Sequence, residues 1–290
     1  MIVAGASVQG AAHLACGRDC QDAFRTAVPG GAVVLAVADG VGSRERSALG
    51  AHLAVDTACR LLGTGVPGTA AGPDAWSEWI AARGAAVVDG WLDAVRALLA
   101  AGRGDSRSGV DEGPRGVSDA DAGELAAGLA AAVVRPPWAA FLAVGDCFGV
   151  VLTGAGGEPG GASGPAAERC HLVLPPPLPG DPPPAFLSSP GARLRARTFV
   201  LWDPDLSGVV LASDGCAAVA LDHPAVRGLP PAAGPLPSAR FFGGLASSLR
   251  ASGGDAAPLR ELLAGPAADR TGDDLTVVCA LRAAGRPGCP

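Results

Sequence analysis

Ala32-Val33-Val34-Leu35-Ala36-Val37-Ala38 runs without a polar residue into Asp39-Gly40. A short apolar run rich in β-branched residues and bounded by Gly reads as a strand buried on both faces. A carboxylate at the mouth of such a strand is not there for packing; it faces a cleft or a metal. The same figure recurs far along the chain. Gly208-Val209-Val210-Leu211-Ala212-Ser213 runs into Asp214-Gly215, and Thr271-Gly272-Asp273-Asp274 leads into the apolar run Leu275 to Leu281. Three such corners on one core predict one acidic cluster. Two ionised carboxylates about 5 Å apart repel by about 3 kcal/mol at an effective dielectric near 20. The chain contains no lysine to neutralise them, so a divalent cation is the simplest answer.

Outward from these corners the pattern is mixed. Residues 47–62 carry helical apolar spacing, with Ser47 as the expected cap. A second helix is expected over 74–100, where Trp76, Trp79, Ile80, Val87, Val88, Trp91, Val95 and Leu98 fall at helical intervals. Residues 102–121 are polar and Gly-rich and read as an excursion. Strands are expected over 125–134 and 139–144, joined through Pro136-Pro137, with Gly145-Asp146 turning into a strand over 148–153. The Gly/Pro-rich stretch 154–190 reads as a surface loop or flap, after which strand signals resume. Helices over 238–250 and 257–263 and a strand over 276–281 close the core, and 283–290 reads as a frayed tail. Strand groups interleaved with helical pairs predict a layered α+β protein, a single domain over 1–290.

Composition narrows the function. A net charge of −6 over 290 residues, with the basic residues all arginine and scattered, argues against a nucleic-acid surface. No run approaches the ~20 apolar residues that span a bilayer, and no secretion signal opens the chain. Of eight cysteines, Cys16 and Cys20 are the closest pair and no second pair completes a zinc-like set. A cytoplasmic protein with reduced thiols is the expectation.

The order of motifs is specific: Gln21-Asp22-Ala23, then Val37-Ala38-Asp39-Gly40-Val41-Gly42, then Val144-Gly145-Asp146, then Leu211-Ala212-Ser213-Asp214-Gly215, then Gly272-Asp273-Asp274-Leu275-Thr276-Val277-Val278. That succession resembles the metal-dependent serine/threonine protein phosphatases (PPM, or protein phosphatase 2C, family), in particular their compact bacterial members. It spans about residues 3–282. The resemblance implies a four-layer αββα sandwich, two antiparallel β-sheets flanked by helices, with metals in a cleft at one end. By motif position Asp39 bridges two cations, the Gly40 carbonyl binds one of them through water, and Asp214 and Asp273 complete the first. Asp22 acts in an outer shell or through water, and Asp146 helps Asp214 hold a third ion. Asp274, where the family places a neutral amide, orders the loop.

The donor chemistry agrees. Carboxylate, carbonyl and water are hard ligands suited to Mn²⁺ or Mg²⁺. Two such ions sharing a carboxylate can activate a bridging water, so no protein nucleophile is required. The implied activity is hydrolysis of phosphomonoesters on phosphoserine and phosphothreonine proteins, the products of a serine/threonine kinase. The sequence departs from the family where an arginine usually clamps phosphate: the candidates here are His13 and Arg18. His13 suits phosphate orientation or protonation of the leaving alkoxide, because its ordinary pKa lies near working pH. Gln21 stands where glutamate is frequent, Val41 replaces a histidine of some eukaryotic members, and Cys147-Phe148 replaces Ser-Arg. Two other readings stand beside the phosphatase: a catalytically silent relative that binds phosphoproteins or regulates a partner, and a metallohydrolase of small phosphoesters. His52, His171 and His223 lie outside every motif.

Overall fold

The computed structural model describes residues 1–104, 119–154, 168–178, 180–265 and 271–283. The chain opens with β1 (Ile2–Val8), a single helical turn α1 (Ala11–Ala15), β2 (Asp22–Ala27) and β3 (Val33–Gly40). Then come α2 (Ser47–Leu62), α3 (Pro73–Gly104) and the short α4 (Asp119–Gly123). Strands β4 (Ala127–Arg135), β5 (Trp138–Val144), β6 (Phe148–Thr153) and β7 (Arg169–Leu174) follow, then α5 (Ala192–Arg195), β8 (Arg197–Trp202) and β9 (Leu206–Ala212). The last part holds α6 (Ala217–Ala220), a two-residue ladder of β10 (Leu221–Asp222) with β11 (Leu236–Pro237), helices α7 (Ala239–Ala251) and α8 (Ala257–Ala264), and β12 (Leu275–Leu281).

Two antiparallel five-stranded sheets result, in the orders β2-β3-β4-β5-β8 and β1-β12-β9-β6-β7. The β3 run shows why they stack. Its alternate residues Val34, Ala36 and Ala38 face the helices α2 and α3, while Val33, Leu35 and Val37 face Val209, Leu211 and Val278 of the other sheet. A strand covered on both sides has no polar face, which is why its sequence is continuously apolar. The second sheet packs its outer face against α7 and α8 through Phe242, Leu245, Leu249, Leu259 and Leu263. The four layers are therefore helix, sheet, sheet, helix.

Helix α2 buries Ala51, Ala54, Val55, Ala58, Cys59 and Leu62, a 3-and-4 stripe. Ser47 is its first helical residue and not the cap; it is buried, and its Oγ donates to the Arg44 carbonyl at 3.0 Å. The glycines inside α3 sit where the helix comes closest to its neighbours. A Cβ on Gly84 would lie 3.0 Å from Thr198 Cγ2, and one on Gly90 would lie 3.0 Å from Leu61 Cδ1.

The 154–190 stretch is not all loop. Residues 169–174 add β7 to the sheet edge beside β6; residues 155–167 and 179 lie outside the described residues. Most of the 102–121 excursion, residues 105–118, and 284–290 of the expected frayed tail also lie outside them. No helix among the described residues is long and apolar enough to cross a membrane.

Candidate active site

At one end of the sandwich the strands deliver their acidic corners together. Asp39 is the penultimate residue of β3 and pairs in register with Asp22, which opens β2. Asp214 follows β9, Asp273 precedes β12, and Asp146 occupies the turn where β5 leaves one sheet and β6 enters the other. That turn needs Gly145, whose φ is +105° and whose Cβ would lie 2.8 Å from Gly128 Cα. Gly128 stands opposite Asp39 on β4, so its bare backbone leaves room for the Asp146 carboxylate beside Asp39.

Carboxylate oxygens of Asp39, Asp146 and Asp214 lie within 4.8 Å of one another. They line a cleft of about 400 Å³ together with Gly40, His13, Asp273 and Phe186. Asp273 shares the cleft but stands outside the tight trio and is exposed. Asp22 lies beneath, 5 % exposed, its Oδ2 accepting a 2.6 Å hydrogen bond from Ser213 Oγ. The trio expected to centre on Asp39, Asp214 and Asp273 thus draws Asp146 in more closely than Asp273.

Burial and crowding raise the proton affinity of Asp22, Asp39, Asp146 and Asp273. Burial, then the charges of Asp22 and Asp214, hold the Asp39 carboxyl well above the usual carboxylate range. Burial likewise pushes Asp22 up to about 7, against the hydrogen bond from Ser213. Asp146 is pushed up to about 6 by burial and by Asp214. Partial burial and Asp214 raise Asp273. Asp146 Oδ1 is buried with no hydrogen-bond partner among the described residues. Like charges pressed together, with an unpartnered oxygen aimed among them, need a counter-charge. Hard oxygen donors in this number fit Mn²⁺ or Mg²⁺.

Asp274 does something else. It is 2 % exposed; its Oδ1 accepts from Gly10 N at 2.7 Å and its Oδ2 from Gln21 N at 2.6 Å. It therefore ties the 9–21 segment to the start of β12. His13 Nδ1 approaches Asp274 Oδ2 at 2.9 Å, off the N–H direction, so the two groups are in contact without an aligned hydrogen bond. Close backbone contact locks the same corner. A Cβ on Gly10 would fall 2.3 Å from the Asp273 carbonyl carbon, and one on Gly215 would fall 2.1 Å from the Asp274 carbonyl oxygen.

Arg18 does not line the cleft; its Nη1 donates to the Gly42 carbonyl at 2.6 Å, bracing the loop after Asp39-Gly40. Sequence reasoning passed over Ser213 and Thr276, the hydroxyls beneath the acids. Ser213 Oγ donates to Asp22 and accepts from Thr276 N at 3.1 Å. The available signal was a small polar residue inside an apolar run, immediately before Asp214.

The family model for protein phosphatase 2C matches residues 9–264. The chain belongs to the protein phosphatase 2C family. No curated protein sequence matches it. Solved structures share the fold at low identity. A bacterial serine phosphatase aligns with a TM-score of 0.54 at 12 % identity, covering 99 % of this chain and 100 % of that one. The serine/threonine phosphatase Stp1 from Staphylococcus aureus aligns at 0.53 and 12 %, covering 97 % and 95 %. The serine-threonine phosphatase 2C from Toxoplasma gondii aligns at 0.53 and 15 %, covering 96 % and 94 %. The protein phosphatase 2C family is metal-dependent, and the acidic trio lies within its sandwich fold.

Proposed function

We propose that this protein hydrolyses phosphomonoesters on phosphoserine and phosphothreonine side chains of proteins, using Mn²⁺ or Mg²⁺. The observation that carries this reading is the trio Asp39, Asp146 and Asp214, with ligand oxygens within 4.8 Å in an open cleft. Asp39, Asp146, Asp214 and Asp273 would hold the cations, with the Gly40 carbonyl and Asp22 acting through water. When bound, such ions supply Lewis-acid charge to phosphoryl oxygens and acidify water.

The protein's own residues do the rest. Ser213 keeps Asp22 oriented beneath Asp39. Asp274 fixes the backbone of Gly10 and Gln21, and so places His13 at the cleft wall. With Nδ1 against Asp274, Nε2 is the nitrogen left for a phosphate oxygen or the leaving alkoxide. Arg18 acts on the cleft through the Gly42 carbonyl, as a positioning residue. The substrates would be phosphoproteins made by a serine/threonine kinase, met in the cytoplasm.

The test is hydrolysis of p-nitrophenyl phosphate across a Mn²⁺ series. Asp39→Asn should lower Mn²⁺-dependent kcat/KM by more than about 100-fold, beyond the ~10–100-fold that an outer-shell change costs. Undiminished turnover in that variant would rule out a cation site built on Asp39.

A further inference from the structure

Beside the acidic cleft lies a larger groove of about 960 Å³, and the two share a wall. Gly145 and Ala185 line the groove, while their chain neighbours Asp146 and Phe186 line the cleft. The electrostatics reverse across that wall. The groove's charged lining is Arg195, Arg197 and Arg227 against one carboxylate, Asp181. Asp181 is already engaged, its Oδ2 accepting from the Leu178 N–H at 2.7 Å. The three arginines are exposed. Among the described residues none of them forms an ion pair, whereas nearby Arg193 pairs with Asp89 at 3.1 Å. Arg197 reaches the wall itself: Nη2 donates to the Gly145 carbonyl at 3.5 Å and Nη1 to the Pro175 carbonyl at 3.4 Å. Both bonds are long, so the guanidinium is held at the turn that carries Asp146 with donors to spare.

The proline content of the lining sharpens this. Residues 175–177 and 182–184 are all proline. Proline has no backbone N–H, so these six residues offer rings and carbonyls and leave donation to the guanidiniums. A guanidinium fork matches carboxylate and phosphate. The volume is at the upper end of ordinary ligand pockets and accommodates several residues of extended chain.

We propose that the groove binds the segment of the substrate protein flanking the phosphoresidue and selects acidic groups there, carboxylates or a second phosphate. The proposal rests on the phosphatase reading above, because it places the phosphoresidue itself in the adjoining cleft. Arg195, Arg197 and Arg227 are its specificity determinants.

The experiment measures binding by fluorescence anisotropy, with the full chain in Mn²⁺. Three labelled peptides share a central unphosphorylated serine and carry Glu, Gln or the non-hydrolysable phosphonate analogue of phosphoserine at the flanking positions. Wild type should bind the Glu peptide about fivefold more tightly than the Gln peptide at low salt, the scale of two to three exposed charge pairs. Added salt should shrink that ratio. A phosphonate peptide bound more tightly still, with the excess lost in Arg195→Gln/Arg227→Gln, would identify phosphate as the groove's preferred anion; equal or weaker binding than Glu would identify carboxylate. In Arg195→Gln/Arg227→Gln the ratio should fall toward one while affinity for the Gln peptide is kept, whereas a general loss of folding would abolish binding of both peptides. Equal affinities for all three peptides in wild type, or an undiminished ratio in the double variant, would overturn the proposal. Parallel p-nitrophenyl phosphate assays separate the two readings. No turnover with the ratio intact counts against the phosphatase and leaves the groove standing; turnover with a ratio of one removes the groove alone.

Discussion

Within a single strand, β3, two regimes meet. From Val33 to Ala38 every residue is at most 3 % exposed and packs against helix or sheet on alternate sides. One step further, about 3.3 Å along the strand, Asp39 joins Asp146 and Asp214, and its own ionisation is suppressed by burial and by neighbouring charge. The first region stabilises the fold, and the second draws on that stability to hold like charges together. A cluster of this kind is a cost that only a rigid scaffold sustains, the usual relation between a functional site and its support.

If that division holds, the regions respond separately to mutation. Leu35→Ala empties part of the layer between the sheets and should lower the unfolding free energy by about 2–5 kcal/mol. It should leave Mn²⁺ affinity within about twofold, since distant sites are nearly additive. Denaturant melts and calorimetry on the same samples check both halves. The next change attacks the seam between the regions. Gly215→Ala drives a methyl into the Asp274 carbonyl, so it should cost about 1–3 kcal/mol and weaken Mn²⁺ binding as well. An effect on stability alone would mean that the corners are not mechanically coupled.

Asp22→Asn should sharpen the contrast by moving its two sides in opposite directions. It should weaken Mn²⁺ binding by about tenfold while raising the metal-free Tm at pH 8, because one buried charge is removed. The metal-free protein should also depend on pH. Asp22 and Asp146 hold protons up to about 7 and about 6, against an ordinary 3.8. Between pH 4 and 7 the folded state therefore binds protons that the unfolded chain has released. Stability contributed below pH 4 is lost as pH rises toward 7, and metal-free Tm should fall by several degrees across that window. Thermal melts in Asp39→Asn should show a shallower fall.

What sequence alone revealed follows the same division. The strands β3, β4, β5, β6, β9 and β12 announce themselves because burial on both faces leaves no polar residues in their runs. Strand β1 escaped assignment because Gly5 and Ser7 dilute its pattern. Strand β7 escaped because its half-buried edge position lets Arg169 and His171 alternate with apolar residues inside a Gly/Pro-rich stretch. At the site, each acidic corner was visible locally as a carboxylate ending an apolar run. Which acids meet was not, because Asp146 reaches Asp39 and Asp214 only through the packing of two sheets and the bare backbone of Gly128. Arg18 shows the same gap: its position beside the motifs suggested a phosphate contact, whereas its guanidinium turns to the Gly42 carbonyl.

The central claim is that corners distant in sequence converge to hold cations. Anomalous diffraction from crystals soaked in Mn²⁺ tests it most directly. Peaks among Asp39, Asp146, Asp214 and Asp273, lost in Asp39→Asn, are the predicted result. A well-diffracting soaked crystal with no peak in this cleft, or with its peaks elsewhere on the molecule, would contradict it.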